Sequence, residues 1–291
     1  LKLDRIMSDT VNATSHSMSG SDIWRGARTY CRVVVGLIFR DAAARFGSSP
    51  LSYVWTIVEP AVLIAILLVA RVYFKNISPA FGESSVLFLL TGLVSFRATR
   101  NVINVGARGI SANSKLFEFG AVKPPDTVLA RTILEFTIWV VILTIFFTAV
   151  REIMQQEIIT DFQGFVLAML MILYFCIAMA MFNATVGALV PAWRSVWKMM
   201  SVPLMVSSGV LYVPAQMPPE MVSFIIWNPF LHCVEGLRSH SYLDYISLYS
   251  PYYLLSFSTV VLIFSLALER LFRKEIIRAE GDDEEEDLLL L

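Results

Sequence analysis

The chain lacks the short motifs through which most enzymes hold a cofactor or a nucleophile. No G-x-x-x-x-G-K-[ST] phosphate loop occurs in its 291 residues, so it does not itself bind ATP in that manner. G-x-S-x-G and H-E-x-x-H are also absent. The three cysteines, Cys31, Cys176 and Cys233, stand too far apart in sequence for a metal or redox pair and read as free thiols. No duplication of one half in the other is visible, which weighs against a transporter built on internal repeats. The first segment, 1–20, holds no apolar core of the signal-peptide type, and its Ser, Thr, Asn and Asp predict a flexible stretch. Charge is scarce as well. Charged residues make up 16% of the chain against 56% hydrophobic, and mean hydropathy is +0.66. That is too apolar for a soluble domain of this size and predicts an all-α, polytopic membrane protein.

Hydropathy predicts six spans: Val54 to Phe74, Ser84 to Val105, Thr127 to Val150, Phe162 to Val190, Val196 to Val213 and Tyr252 to Leu268. The transmembrane unit is thus expected over 50–272, with a helix at 21–49 before it and a tail at 273–291 behind it. Of the 23 lysines and arginines, all but Arg71, Lys75, Arg151 and Arg238 fall on one side if the N-terminus is inside. The positive-inside rule then puts both termini in the cytoplasm. The net charge of −1 conceals a basic body and an acidic run, Asp282 to Asp287, in the tail. Arg97 and Arg100 interrupt the second span and must snorkel or face protein.

Several stretches invite a role. Ser21 to Phe46 sets Arg25, Arg28 and Arg32 on one face and Trp24, Ala27, Tyr30 and Cys31 on the other, an interfacial pattern; a short membrane dip at Val33 to Phe39 is the alternative. Between spans two and three, a short helix is expected over Ser111 to Phe119, closed by Gly120, with Asp126 capping the third span. It suits a docking helix or a basic loop held by lipid headgroups. Arg131 and Glu135, four residues apart, share a helix face and can pair. The segment 214–250 carries apolar stretches too short to span and reads as re-entrant. Within it, His232, Glu235 and Arg238 share one face as a structural or gating cluster; two candidate ligands without a third do not make a metal site. Glu59-Pro60 puts a charge at a kinked membrane entrance, where a structural ion pair with Arg97, Arg100 or Arg131 is favoured over a proton relay.

Three separated motifs carry a resemblance: RFGSSPLSYVWTIVEP (Arg45 to Pro60), VKPPDTVLARTILE (Val122 to Glu135) and WNPFLHCVEGLR (Trp227 to Arg238). In this order they are similar to the membrane subunit of capsular-polysaccharide ABC exporters, the KpsM-type permeases of the ABC-2 (type V exporter) class. Ser52 stands where that family commonly has Gly, and the tail after Ala279 has no counterpart in it. The resemblance implies a homodimeric, non-catalytic permease of the bacterial inner membrane that exports an acidic, lipid-linked polysaccharide. It also implies two copies of a separate KpsT-type ATPase, which binds the ATP and Mg; this chain binds no cofactor. Periplasmic KpsE-type and outer-membrane KpsD-type partners follow, and no nucleic acid. The helix at 21–49 becomes a gate, and the segment at about 107–122 a coupling helix with Asn113, Lys115, Phe117 and Glu118 facing the ATPase. Exporters of O-antigen or teichoic acid in the same class, or a membrane glycan or lipid transferase, are the alternatives.

Sugars stack their C–H faces on aromatic rings, so Tyr53, Trp55, Tyr73, Trp227 and Phe230 are candidate canal contacts, with Arg40, Arg45 and Arg238 attracting acidic polymer. Aromatics at span ends also form interfacial belts. Replacing Tyr53, Trp55 or Trp227 with Ala is expected to reduce surface polymer at matched expression. Unchanged export in all three variants would remove the canal assignment.

Overall fold

A backbone in lipid must satisfy its own hydrogen bonds, and among the described residues every regular element is a helix. The computed structural model describes residues 20–48, 58, 62, 85–119, 122–154 and 159–279. The chain opens with α1 (Gly20–Ser48). Next come α2 (Ser85–Leu89), a π-helical segment (Leu90–Val94) and α3 (Ser95–Ala107), which run on without a break. A 3-10 segment (Ser111–Phe119) leads to α4 (Pro124–Met154) and α5 (Phe162–Leu189). Two short helices follow, α6 (Ala192–Met199) and α7 (Ser201–Ser207). After them come α8 (Pro219–Ile225), α9 (Pro229–Ser239) and α10 (Pro251–Leu271), with further helix at 273–279.

Among the described residues, α4, α5 and α10 are long and apolar enough to cross a membrane. The acidic run and, apart from residues 58 and 62, the expected first span, 54–74, lie outside the described residues. α4 starts at Pro124 rather than Thr127, because proline is tolerated in a first helical turn, where its missing N–H has no partner to lose. The Asp126 carboxylate accepts from the Lys123 amide at 2.9 Å. The expected fifth span is two helices, not one. Pro203 cannot donate to the carbonyl four residues back, at Met199, and the helix breaks at Met200. Gly209 then turns the chain at φ +70°, a conformation costly for any residue with a Cβ.

α5 lies along both α3 and α10, and α3 also rests on α4. Small buried residues on α5, among them Ala178, Ala180 and Ala184, let these helices approach closely. Phe230 on α9 fills the centre, with its ring 5.4 Å from Phe96, 5.2 Å from Phe175 and 6.4 Å from Trp197. α6 is pinned beneath α3: Trp197 Nε1 donates to Asn104 Oδ1 at 2.7 Å, and Arg100 Nη2 donates to the Trp197 carbonyl at 2.7 Å. Arg100 therefore faces protein, with its guanidinium 4.8 Å from the centre of the Trp197 ring.

Arg238 on α9 is fully buried. Its Nη1 donates to the Gly209 carbonyl at 2.5 Å, and its Nη2 to those of Val210 at 2.8 Å and Phe88 at 3.3 Å. The last of these belongs to α2, just before the π segment, where the helical hydrogen-bond ladder changes register. Gly92 makes room for the contact: a Cβ there would collide with Arg238 Nη2 and come within 2.8 Å of the Val210 carbonyl. Gly92→Ala is expected to cost about 1–3 kcal/mol as an overpacked core substitution, read as a lower unfolding midpoint in detergent. Gly26→Ala, where a Cβ meets open space inside helix α1, is the matched control and should not lower the midpoint.

Candidate functional site

Helix α1 meets α4 through a small apolar contact, in which Val34 and Leu37 cover Ala130. That contact leaves the C-terminal part of α1 lying beside the 3-10 segment, and a cleft of about 850 Å³ opens between them. Arg40 and Asp41 of α1, Arg108 before the 3-10 segment, Asn113 and Lys115 within it, and Arg131 of α4 line the cleft.

The 3-10 segment is kinked at Asn113, whose backbone leaves helical geometry at φ −137°, ψ 19°. The kinked residue is buried and bonded in both directions. Its Nδ2 donates to the Gly109 carbonyl at 2.8 Å, and its Oδ1 accepts from Arg40 Nη2. Arg40 also pairs with Asp41 at 2.6 Å, and Asp41 lies 3.6 Å from Arg131 Nε. Arg131 Nη1 donates to the Arg108 carbonyl at 3.0 Å. A continuous polar chain thus links α1, the 3-10 segment and α4. Nearby, Tyr30 bonds Asp126; burial, then the Asp126 charge, raises its pKa above the usual phenol value.

Of the residues singled out in sequence, Arg40, Asn113, Lys115 and Arg131 converge on this cleft. Phe117 turns away from it into an apolar cluster with Ile110, Val128 and Ile276. Glu135 is fully buried one turn further along α4 and accepts from Asn101 Nδ2 at 2.6 Å. Trp227 is 71% exposed at the other end of the bundle, whereas Phe230 and Arg238 lie in the interior. Glu235 accepts from Tyr245 Oη at 2.6 Å and from the Leu248 amide at 3.1 Å, and stands 3.7 Å from Arg238 Nη1. Both ring nitrogens of His232 are engaged, Nε2 with the Ile226 carbonyl at 2.8 Å and Nδ1 with the Ser250 amide at 3.2 Å. Tyr53, Trp55, Glu59 and Tyr73 lie outside the described residues, as do the side chains of Arg45 and Glu118. Asp41, which joins Arg40 to Arg131, was not singled out: a lone acid beside an arginine carries no signal of a distant partner.

The family model for ABC-2 type transporters matches residues 33–242 of this chain. The chain belongs to that family. The ABC-2 permease is 32% identical over 238 residues to the polysialic acid transport protein KpsM of Escherichia coli, covering 81% of this chain and 92% of that protein. It is 26% identical to the capsule polysaccharide export inner-membrane protein CtrC of Neisseria meningitidis serogroup A, over 84% of this chain and 92% of the relative. The capsule polysaccharide export inner-membrane protein BexB of Haemophilus influenzae is 23% identical, with the same coverage. The family match begins within α1, at residue 33, and takes in the cleft and α9, so the polar junction lies inside the matched region.

The Arg40 to Asn113 bridge is open to a double-mutant cycle. Arg40→Ala and Asn113→Ala are each expected to lower the unfolding midpoint of the ABC-2 permease in detergent. A coupling energy of about 1 kcal/mol should appear between them. Strict additivity would show that the bridge does not tie α1 to the 3-10 segment.

Proposed function

We propose that the protein is the membrane-spanning permease of an ATP-driven exporter that carries a lipid-linked capsular polysaccharide across the bacterial inner membrane. The observation that supports it is the similarity to KpsM of Escherichia coli over 92% of that protein, with CtrC and BexB aligned over 84% of the chain. In this reading the chain does no bond chemistry of its own. Two copies form the canal, each with six spans and both termini in the cytoplasm. Two copies of a KpsT-type ATPase bind and hydrolyse ATP with Mg. KpsE-type and KpsD-type partners receive the polymer beyond the membrane.

The 3-10 segment is suited to coupling by its attachments. A push from an ATPase on Lys115 or Glu118 is opposed on one side by Phe117 in its apolar cluster. On the other side Asn113 holds Arg40 of α1. Displacing the segment therefore strains the α1 contact, in which Val34 and Leu37, with the half-buried Val33 and Ile38, pack on α4 and Leu116. Nucleotide-driven motion reaches the gate helix by that route. Arg40 and Arg131 then present cations to an acidic polymer at the cleft. The re-entrant segment, with Trp227 exposed at its tip, lies at the opposite end of the path.

Deleting the gene should abolish surface capsule in the host, and the wild-type gene should restore it. With its ATPase, the purified permease should hydrolyse ATP faster in the presence of acidic capsular polymer than with a neutral one. Lys115→Glu is expected to reduce ATPase co-purification or polymer-stimulated hydrolysis several-fold. Equal stimulation by acidic and neutral polymer would overturn the substrate class. Normal co-purification and stimulation in Lys115→Glu would remove the segment from coupling.

A further inference from the structure

Between α4 and α5, at the end where the chain passes from one helix to the other, lies a groove of about 450 Å³. Its floor is apolar and aromatic. Leu143 and Phe147 of α4 and Phe165 of α5 are buried there, and the two phenyl rings meet edge to face at 5.6 Å. Its walls stay open: Thr144 and Thr148 on α4 and Phe162, Val166 and Leu170 on α5 are exposed. The Thr144 hydroxyl donates to the Val140 carbonyl at 2.8 Å, so it adds little polarity to the wall.

The groove is graded along its length. Arg151, in the last turn of α4, is the one charged residue among its described lining residues, and it stands at the same end as Phe162 in the first turn of α5. Glu152, Asp161 and Gln163, all exposed, are neighbours in sequence, so this end lies at the level of the headgroups. Val140, Met169 and Leu170 form the other end. From Val140 to Arg151 α4 rises about 16 Å, roughly half of a hydrocarbon core of about 30 Å. Both helices are long and apolar enough to cross a membrane, so the groove starts at one bilayer surface and ends near the middle. An apolar hollow of this size facing hydrocarbon is not left empty, and water gains few hydrogen bonds in it. What matches it is a methylene chain one leaflet long, apolar along its length and polar at one end, which the bilayer itself supplies. A groove surrounds such a chain, whereas the exposed Val260 and Ile263 of α10 touch it on one side only.

We propose that this groove is a resident phospholipid site: one acyl chain of the adjoining leaflet lies between α4 and α5 on Phe147 and Phe165, with its headgroup at the level of Arg151. The lipid fills the gap between the two spans and exchanges more slowly than lipid on the outer faces of the bundle. Recognition comes from dispersion contact along the chain and not from the headgroup charge. The inference requires that α4 and α5 cross the bilayer, and it holds whichever polymer is carried.

The test uses the full-length protein in nanodiscs of phosphatidylethanolamine and phosphatidylglycerol. The probe is a trace of phosphatidylglycerol with a diazirine midway along one acyl chain. After brief irradiation, labelling per residue at 143–147 and 165–169 should exceed that at Val260 and Ile263 about tenfold. Val166→Trp and Thr148→Trp each replace an exposed wall residue with a side chain that occupies the groove, and both should remove the excess while leaving the labelling of α10 unchanged. Val141→Trp, on an exposed face of α4 outside the groove, should keep it. Equal labelling of the groove and α10 in the wild-type chain would overturn the proposal, because it would mark bulk lipid alone. So would an excess that persists in both filled variants. Displacement of the label by lipid-linked polymer but not by unlabelled phosphatidylglycerol would also overturn it, by assigning the groove to the polymer's anchor.

Discussion

Arg238 holds a full positive charge where no water reaches it, and the arrangement around α9 follows from keeping that charge solvated by protein. An unpartnered buried cation is prohibitively costly, so the chain supplies main-chain carbonyls in place of water. Gly209 and Val210 provide two of them from a turn that only glycine adopts easily, and Phe88 provides a third from a segment 150 residues away. The face of the Phe88 ring lies 3.8 Å from the guanidinium, and Glu235 adds a compensating charge on the same helix. Three distant parts of the chain are thereby fixed to one side chain. Removing the charge while leaving its cage would expose several buried carbonyls at once, which is why the cage and the arginine have to be considered together.

That fixture makes α3 the rigid member of the bundle. Its α2 and π extension is held by Arg238 at one end, and Trp197 grips Arg100 and Asn104 towards the other. α1 rests on α4 through Val34 and Leu37, burial worth about 1.5–3 kcal/mol per side chain, with the half-buried Val33 and Ile38 around them and polar contacts at the cleft. The cleft lies where this helix faces the 3-10 segment and α4.

Much of this was legible in the sequence, and the rest was hidden for identifiable reasons. Long uninterrupted apolar runs announce α4, α5 and α10, because length and hydropathy alone decide such helices. The broken fifth segment was written in Pro203, which hydropathy averaging passes over. The spacing of Arg131 and Glu135 suggested that the two share a face; it gave no sign of Asp41 and Asn101, partners that the structure records for the first and the second. Helical spacing cannot nominate a partner from another helix. Likewise, the periodicity of His232, Glu235 and Arg238 revealed a shared face but not that Arg238 points into carbonyls from two other segments. The motif around Trp227 identified the family while leaving open that Trp227 is exposed and Phe230 buried three residues later.

The π-helical segment at Leu90–Val94 has an effect beyond its own turn. A π turn takes up one residue more than an α turn, so everything after it is rotated by about 100° relative to an unbroken α-helix. Asn101 and Asn104 meet Glu135 and Trp197 only in that rotated frame. The segment acts as a phase shifter: it sets which face of α3 looks at which neighbour, over the whole remaining length of the helix. Drawing that turn into a regular α-helix with every residue kept would leave the composition of α3 untouched and yet turn its polar residues towards the wrong partners, whereas deleting one residue along with it would restore their facing.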